Sequence, residues 1–145
     1  MEDRSIKLFL RLAISTGFLS AVADRMGIWG KEFSVWGNWN SFLEYTELIN
    51  PWIPKSLIPS LGFIATFAEV VFALCLLIGF KTQLFAKLSG ILLLLFAICI
   101  SFSTGIKGAF DYSVFSASAG AFALSLMNQK YFELDNVIAK PTNIV

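Results

Sequence analysis

Two charged side chains interrupt long apolar runs of this sequence: Arg11 in the run from about Ile6 to Gly27, and Glu69 in the run from Leu61 to Phe80. An ionisable group inside hydrocarbon is costly unless paired or hydrated, so each needs a partner. Asp24, Arg25, Lys107, Asp111 and Tyr112 fall at the ends of apolar runs and, with Ser20, can gather around one end of a helix bundle. The chemistry these groups offer is polar recognition in a low-dielectric site, with acidic and basic side chains holding the polar end of a small amphipathic molecule. Neither a nucleophile–base pair nor a metal-binding spacing is visible, which argues against a self-contained enzyme. The absence of histidine removes the usual ligand of haem and zinc and the commonest acid–base catalyst. Cys75 and Cys99 do not form a CxxC and lie in apolar runs, where a thiol packs as a small hydrophobe. No metal and no covalently bound cofactor is expected.

The elements that would position these residues follow from hydropathy. The 145 residues are 57% hydrophobic and 14% charged, with a mean hydropathy of +0.73, which is too apolar for an ordinary soluble domain. One membrane crossing needs about 20 apolar residues, and four such stretches stand at about 6–27, 61–80, 84–106 and 110–128. The expectation is an all-α membrane protein, a single domain over residues 1–145 built as a four-transmembrane-helix antiparallel bundle. Short connections at Lys81-Thr82-Gln83 and Lys107-Gly108-Ala109 force consecutive helices to reverse direction. Ala21-Val22-Ala23 fits the small-residue rule of a signal-peptidase site, but Glu2, Asp3 and Arg11 contradict the rest of that pattern.

Lysine and arginine set the orientation. With the N-terminus inside, the inner side holds Arg4, Lys7, Lys81, Lys87, Lys130 and Lys140, with Arg11, and the outer side holds Arg25, Lys31, Lys55 and Lys107. Both termini and a tail over 129–145 are then expected in the cytoplasm, with the long first loop facing the periplasm or cell exterior. A net charge of +1 without a basic block argues against nucleic acid, leaving the lipid bilayer as the surrounding partner.

The outer loop, 28–60, contains Trp29, Trp36, Trp39 and Trp52. Indole rings favour the headgroup layer, so the loop is expected along the membrane surface, as an anchor or as a lid. Ser41 and Glu44 have capping-box spacing, and Asn50-Pro51 supplies a stop, which predicts a short interfacial helix between them.

Small and polar residues recur at helical spacing in each apolar stretch. The first has Ala13, Gly17, Ser20 and Asp24 on one stripe and Arg11, Ser15 and Arg25 on its neighbour; the second has Gly62, Thr66, Glu69 and Ala73. The third has Gly90, Ala97, Ser101 and Thr104, and the fourth Ser113, Ser116, Ala117 and Gly120. Such stripes fit close-packing seams and a narrow ligand cavity equally well. Helical rise puts Glu69 roughly 13 Å and Arg11 roughly 20 Å below the outer surface, so a direct pair needs a long reach, a helix shift or a bridging ligand. Asp111, ahead of the fourth stretch, also suits a helix N-cap.

GFLSAVADRMGIWG over 17–30, FAEVVFALCLLIGFKTQLFAKLSG over 67–90 and FDYSVFSASAG over 110–120 resemble the DoxX family of small four-helix bacterial membrane proteins. The similarity spans nearly the whole chain. Its pattern maps onto Arg11 in the first helix, Glu69 with Gly79 and Lys81 in the second, and Asp111-Tyr112-Ser113 at the start of the fourth. The resemblance implies a membrane subunit of an oxidoreductase system, since namesake members belong to a thiosulfate:quinone oxidoreductase and others associate with complexes handling thiols. For such redox chemistry it implies either a quinone within the bundle or a cofactor on a partner, a thiol or sulfur enzyme being the partner it suggests, and a bacterial inner membrane as the location. The expectation is therefore a partner-dependent subunit that binds a quinone-like or other small amphipathic molecule between its helices near the outer leaflet. Arg11 and Glu69 would supply the buried polar contacts, with Asp24, Arg25, Lys107, Asp111 and Tyr112 at the mouth. The rival expectation is a scaffold or transport-related protein whose ion pairs specify packing, with a homo-oligomer or partner doing the rest.

Overall fold

The structure, a computed structural model, describes residues 2–138. These form seven α-helices: α1 (Glu2–Arg25), α2 (Trp39–Ile49), α3 (Ile58–Ile78), α4 (Thr82–Thr104), α5 (Ile106–Asp111), α6 (Val114–Ser125) and α7 (Leu134–Ile138), with a 3-10 turn at Lys55–Leu57 ahead of α3. Three of them, α1, α3 and α4, have the length and apolarity to cross a bilayer. At 24, 21 and 23 residues they rise about 36, 31 and 34 Å, against about 30 Å of hydrocarbon.

These helices carry their polarity inside. Lys7, Arg11, Ser15, Glu69, Thr82 and Ser89 are among the largest fully buried side chains, whereas Phe9, Phe63, Ile64, Phe67, Leu95 and Phe102 are exposed. A water-soluble bundle would bury the second group and expose the first. This inverted distribution, on helices of membrane-spanning length, points to an integral membrane protein.

α4 packs on α6 and α1 on α3, while α3–α4 and α1–α6 contacts close the ring. Small residues permit the close approach. Ser118 Oγ donates to Gly90 O at 2.8 Å across the α4–α6 seam, and Ala73, Ala86, Ala97, Ala109 and Ala121 are wholly buried. Gly79 ends α3 with φ +72, and Phe80 N donates to Cys75 O at 2.9 Å. This left-handed cap lets α4 reverse after two residues. Cys75 and Cys99 are free and half-buried.

Two local expectations are corrected. The fourth apolar stretch is not one helix over 110–128: Gly105 (φ +99) separates α4 from α5, and Ser113 (φ +54) separates α5 from α6. α6 alone has 12 residues and rises about 18 Å, short of a bilayer. Asp111 accordingly ends α5 rather than capping α6. The interhelical helix α2 starts two residues before Ser41, and its N-cap is Asn38, whose side-chain oxygen accepts from Ser41 N at 2.9 Å. Asn50 ends that helix as expected.

The segment after α6 is not a simple extension into solvent. Residues 129–135 fold back across the α3–α4 turn, where Asp135 N donates to Gly79 O at 3.1 Å. Lys140, counted on the inner side, lies outside the described residues.

Candidate functional site

α1 and α3 run side by side, so the last residue of α1 meets the polar face of α3. Gly62, Thr66, Glu69 and Ala73 are all buried, as their spacing predicts. Arg25 occupies that face. Its Nη1 donates to Thr66 Oγ1 at 2.7 Å and to Glu69 Oε2, and its Nη2 donates to Glu69 Oε1 at 3.0 Å. Arg25 and Glu69 are 3% and 2% exposed, so the pair is removed from solvent while each charge is compensated by a forked contact.

The loop closes over this pair. Asp24 accepts from Ser34 Oγ, from Val35 N at 3.0 Å and from Trp36 N at 2.9 Å, tying the loop to the end of α1. The tie brings the Trp36 ring to 5.3 Å and the Phe42 ring to 4.0 Å from the Arg25 guanidinium carbon. A cation beside two aromatic rings is favourable, more so when dry. α2 is seated by close approach, because a Cβ on Gly62 would stand 2.7 Å from Leu43 Cδ2 and 3.2 Å from the Phe42 ring. Beyond it, Ile49 joins Ala97, Ile100 and Ala109, with Tyr45 and Phe115 packed alongside. Burial raises the Tyr45 phenol above its ordinary pKa, and Tyr112 adds to the shift. Two buried donors near the α1–α2 connection, Arg25 Nε and Trp36 Nε1, meet no hydrogen-bond acceptor among the described residues.

The four tryptophans divide between packed and exposed positions. Trp36 and Trp39 pack against Phe42, whereas Trp29 and Trp52 are 46% and 55% exposed.

Several expected site residues lie elsewhere. Arg25 is not at the mouth but is the partner of Glu69, a pairing that backbone depth alone misses because it leaves out the reach of an arginine side chain. Ser20 has an exposed side chain, and its carbonyl accepts from Trp29 Nε1 at 3.1 Å. Ala13 and Gly17 are likewise exposed, so α1 turns its neighbouring stripe, Arg11, Ser15 and Arg25, into the bundle. Lys107 and Asp111 pair with each other on the surface, and Tyr112 is exposed. They do not join Asp24 and Arg25 in one cluster: Asp24 is spent on the loop and Arg25 on Glu69.

Arg11 belongs to the opposite end. It donates from Nε to Leu76 O at 2.8 Å, which also accepts from Gly79 N at 3.3 Å, and from Nη2 to Leu77 O at 2.9 Å, so it supplements the cap of α3. Its Nη1 donates to Tyr131 O and Phe132 O, both at 2.9 Å. Beside it Lys7, 1% exposed, reaches Glu133 at 2.7 Å and Gln129 O at 2.6 Å. Arg11 therefore holds helix ends and the returning tail, and bridges nothing to Glu69.

Trp36, Phe42, Lys7 and Glu133 were absent from the expected site. Trp36 and Phe42 carried a usable signal as aromatics following an Asp-Arg pair, whereas Glu133 sits in a polar segment with no periodicity to mark it. Compared with known proteins, the chain matches no family model, no curated sequence and no solved structure.

Proposed function

We propose that this chain is a DoxX-like protein of a bacterial inner membrane, crossing it four times with both termini cytoplasmic, and that it binds a small quinone-like molecule beneath the α2 lid. The fourth crossing is made by α5 and α6 together. In this reading the protein is the membrane subunit of an oxidoreductase system, and a thiol or sulfur enzyme supplies the redox chemistry.

The observation that carries the reading is the pair of donors without a partner among the described residues, Arg25 Nε and Trp36 Nε1, buried beside an ion pair and aromatic rings. A quinone has the complementary form, a flat ring for Trp36 and Phe42 with carbonyl oxygens that accept hydrogen bonds. Phe42 occupies this space in the closed form, so entry requires the loop to lift, and the contacts of Asp24 to Ser34, Val35 and Trp36 are what must loosen. The aromatic rim, with Trp29 and Trp52 exposed, suits access from the headgroup layer.

Titration of the purified protein with a short-chain benzoquinone, followed by tryptophan quenching, tests this. Wild type should saturate, and Trp36→Phe, which keeps the ring and removes the donor, should weaken binding about fivefold for one hydrogen bond. No saturable binding by wild type overturns the proposal.

A second reading, a scaffold or transport-related protein, draws support from Arg11, whose three guanidinium nitrogens all donate to backbone carbonyls. Copurification in mild detergent separates the two: a thiol or sulfur enzyme favours the redox subunit, and a self-assembled oligomer alone favours the scaffold.

A further inference from the structure

The end of the bundle opposite the lid has two clefts that share Gln83 and Leu84 as a common wall. One, of about 450 Å³, is bordered by the polar residues Lys7, Lys81, Thr82, Lys130, Glu133 and Asp135. The other, of about 440 Å³, runs between α4 and α6 along Leu84, Phe122 and Leu126, with Lys87 on its edge.

The charges are unevenly committed. Glu133 is held by buried Lys7 at 2.7 Å. The Asp135 carboxylate accepts from Lys81 N at 2.8 Å and Thr82 N at 3.2 Å, which caps the start of α4. Both acids are therefore spoken for within the fold. The ammonium groups of Lys81, Lys87 and Lys130 belong to exposed residues and form no salt bridge among the described residues; Lys130 Nζ makes only a 3.5 Å contact with Asp135 O, and Lys81 Nζ lies 5.6 Å from the Phe80 ring centre. Thr82 supplies an independent sign: it is 1% exposed and borders the first cleft, yet its hydroxyl has no hydrogen-bond partner among the described residues.

We infer that these joined clefts form a binding site for one anionic phospholipid, its phosphate among Lys81, Lys130 and the Thr82 hydroxyl, and an acyl chain along Leu84, Phe122 and Leu126. Charge complementarity favours this occupant. Basic pockets between membrane helices select anionic headgroups, and an apolar groove continuous with the pocket accepts the attached chain. The site is at the other end of the molecule from the lid and is independent of quinone binding. Because the returning tail supplies Lys130 and the backing pair Glu133 and Asp135, bound lipid would hold the tail against the α3–α4 turn.

Native mass spectrometry of the full-length protein released from detergent, with phosphatidylglycerol or phosphatidylcholine added, tests the site. Wild type should retain one phosphatidylglycerol over phosphatidylcholine, and K81Q/K130Q should lose that preference by about tenfold or more, on the usual strength of lysine near an anionic surface. Ser125 also lines the apolar cleft, so Ser125→Trp, which blocks it without altering charge, should weaken retention while leaving the helical circular dichroism unchanged. It also serves if the double lysine variant does not fold. Equal retention of the two lipids by wild type, or a preference undiminished in both variants, overturns the inference. Full displacement by glycerol 3-phosphate with no effect of Ser125→Trp assigns the pocket to a free phosphate ester and likewise overturns it.

Discussion

Replacing Glu69 by leucine should destabilise the bundle by about 3–5 kcal/mol, because it leaves the Arg25 guanidinium buried without a counter-charge. Arg25→Leu should cost a similar amount by stranding the carboxylate. The double variant R25L/E69L should cost less than either single change, since two apolar side chains of similar volume then fill the site and no charge is stranded. Neutral interhelical hydrogen bonds in membranes couple by only about 0.6 kcal/mol, with a maximum near 1.7. A forked pair with both partners at most 3% exposed should exceed that range, so a coupling above about 2 kcal/mol is expected. Reversible unfolding in mixed micelles, run on wild type, both single variants and the double, measures it. The same cycle between Arg11 and Glu69 should give a coupling of about 0.5 kcal/mol or less, as expected for groups without shared partners. Additivity for Arg25 and Glu69, or a large coupling for Arg11 and Glu69, would refute the pairing on which the site is built.

Gly79→Ala should cost more than about 1 kcal/mol, the ordinary penalty for a left-handed alanine, since the added Cβ would also meet Glu133 Cα at 2.5 Å. Faster tryptic cleavage after Lys130 would report the freed tail; an unchanged digestion rate would contradict the packing. Asp24→Asn should loosen the loop, because an amide presents one accepting oxygen where the carboxylate serves Ser34, Val35 and Trp36. The check is a red shift of tryptophan emission, and an unshifted spectrum would count against the tie. Burial holds the Tyr45 phenol neutral in the folded state, so α2 docking should be intact below the ordinary tyrosine pKa of about 10 and weaken as pH rises past it. Ultraviolet titration should show Tyr45 ionising after unfolded tyrosine, and Tyr45→Phe should abolish that late step.

The long helices were legible because hydropathy needs no tertiary information. The stretches expected at 6–27, 61–80 and 84–106 became Glu2–Arg25, Ile58–Ile78 and Thr82–Thr104. On α3 the buried face was also legible, since Glu69 shares its stripe with Gly62, Thr66 and Ala73 and charge and small size agree there. On α1 those two cues compete. Ala13, Gly17 and Ser20 would permit close packing, but the adjacent stripe carries Arg11, Ser15 and Arg25, and the cost of leaving arginine in hydrocarbon decides the rotation.

The break in the fourth stretch was hidden because Ser113 is an ordinary helix residue except for its φ of +54, which no composition rule reports. The tail was missed for a different reason. Residues 129–135 have no helical periodicity, and their place depends on Lys7 and Arg11 more than 115 positions earlier, as with the Lys7–Gln129 contact at a separation of 122. Glu69's partner required the side-by-side register of α1 and α3, which short loops do not fix, since 32 residues separate Arg25 from Ile58 in the chain.

Photocrosslinking with an azido-benzoquinone, followed by peptide mapping, tests ligand binding beneath the lid most directly. The adduct should fall on the segment from Trp36 to Phe42 or on α3 between Gly62 and Glu69, with excess unlabelled quinone suppressing it. An adduct confined to the tail end around Arg11, or labelling spread over the lipid-facing phenylalanines and insensitive to competitor, would contradict it.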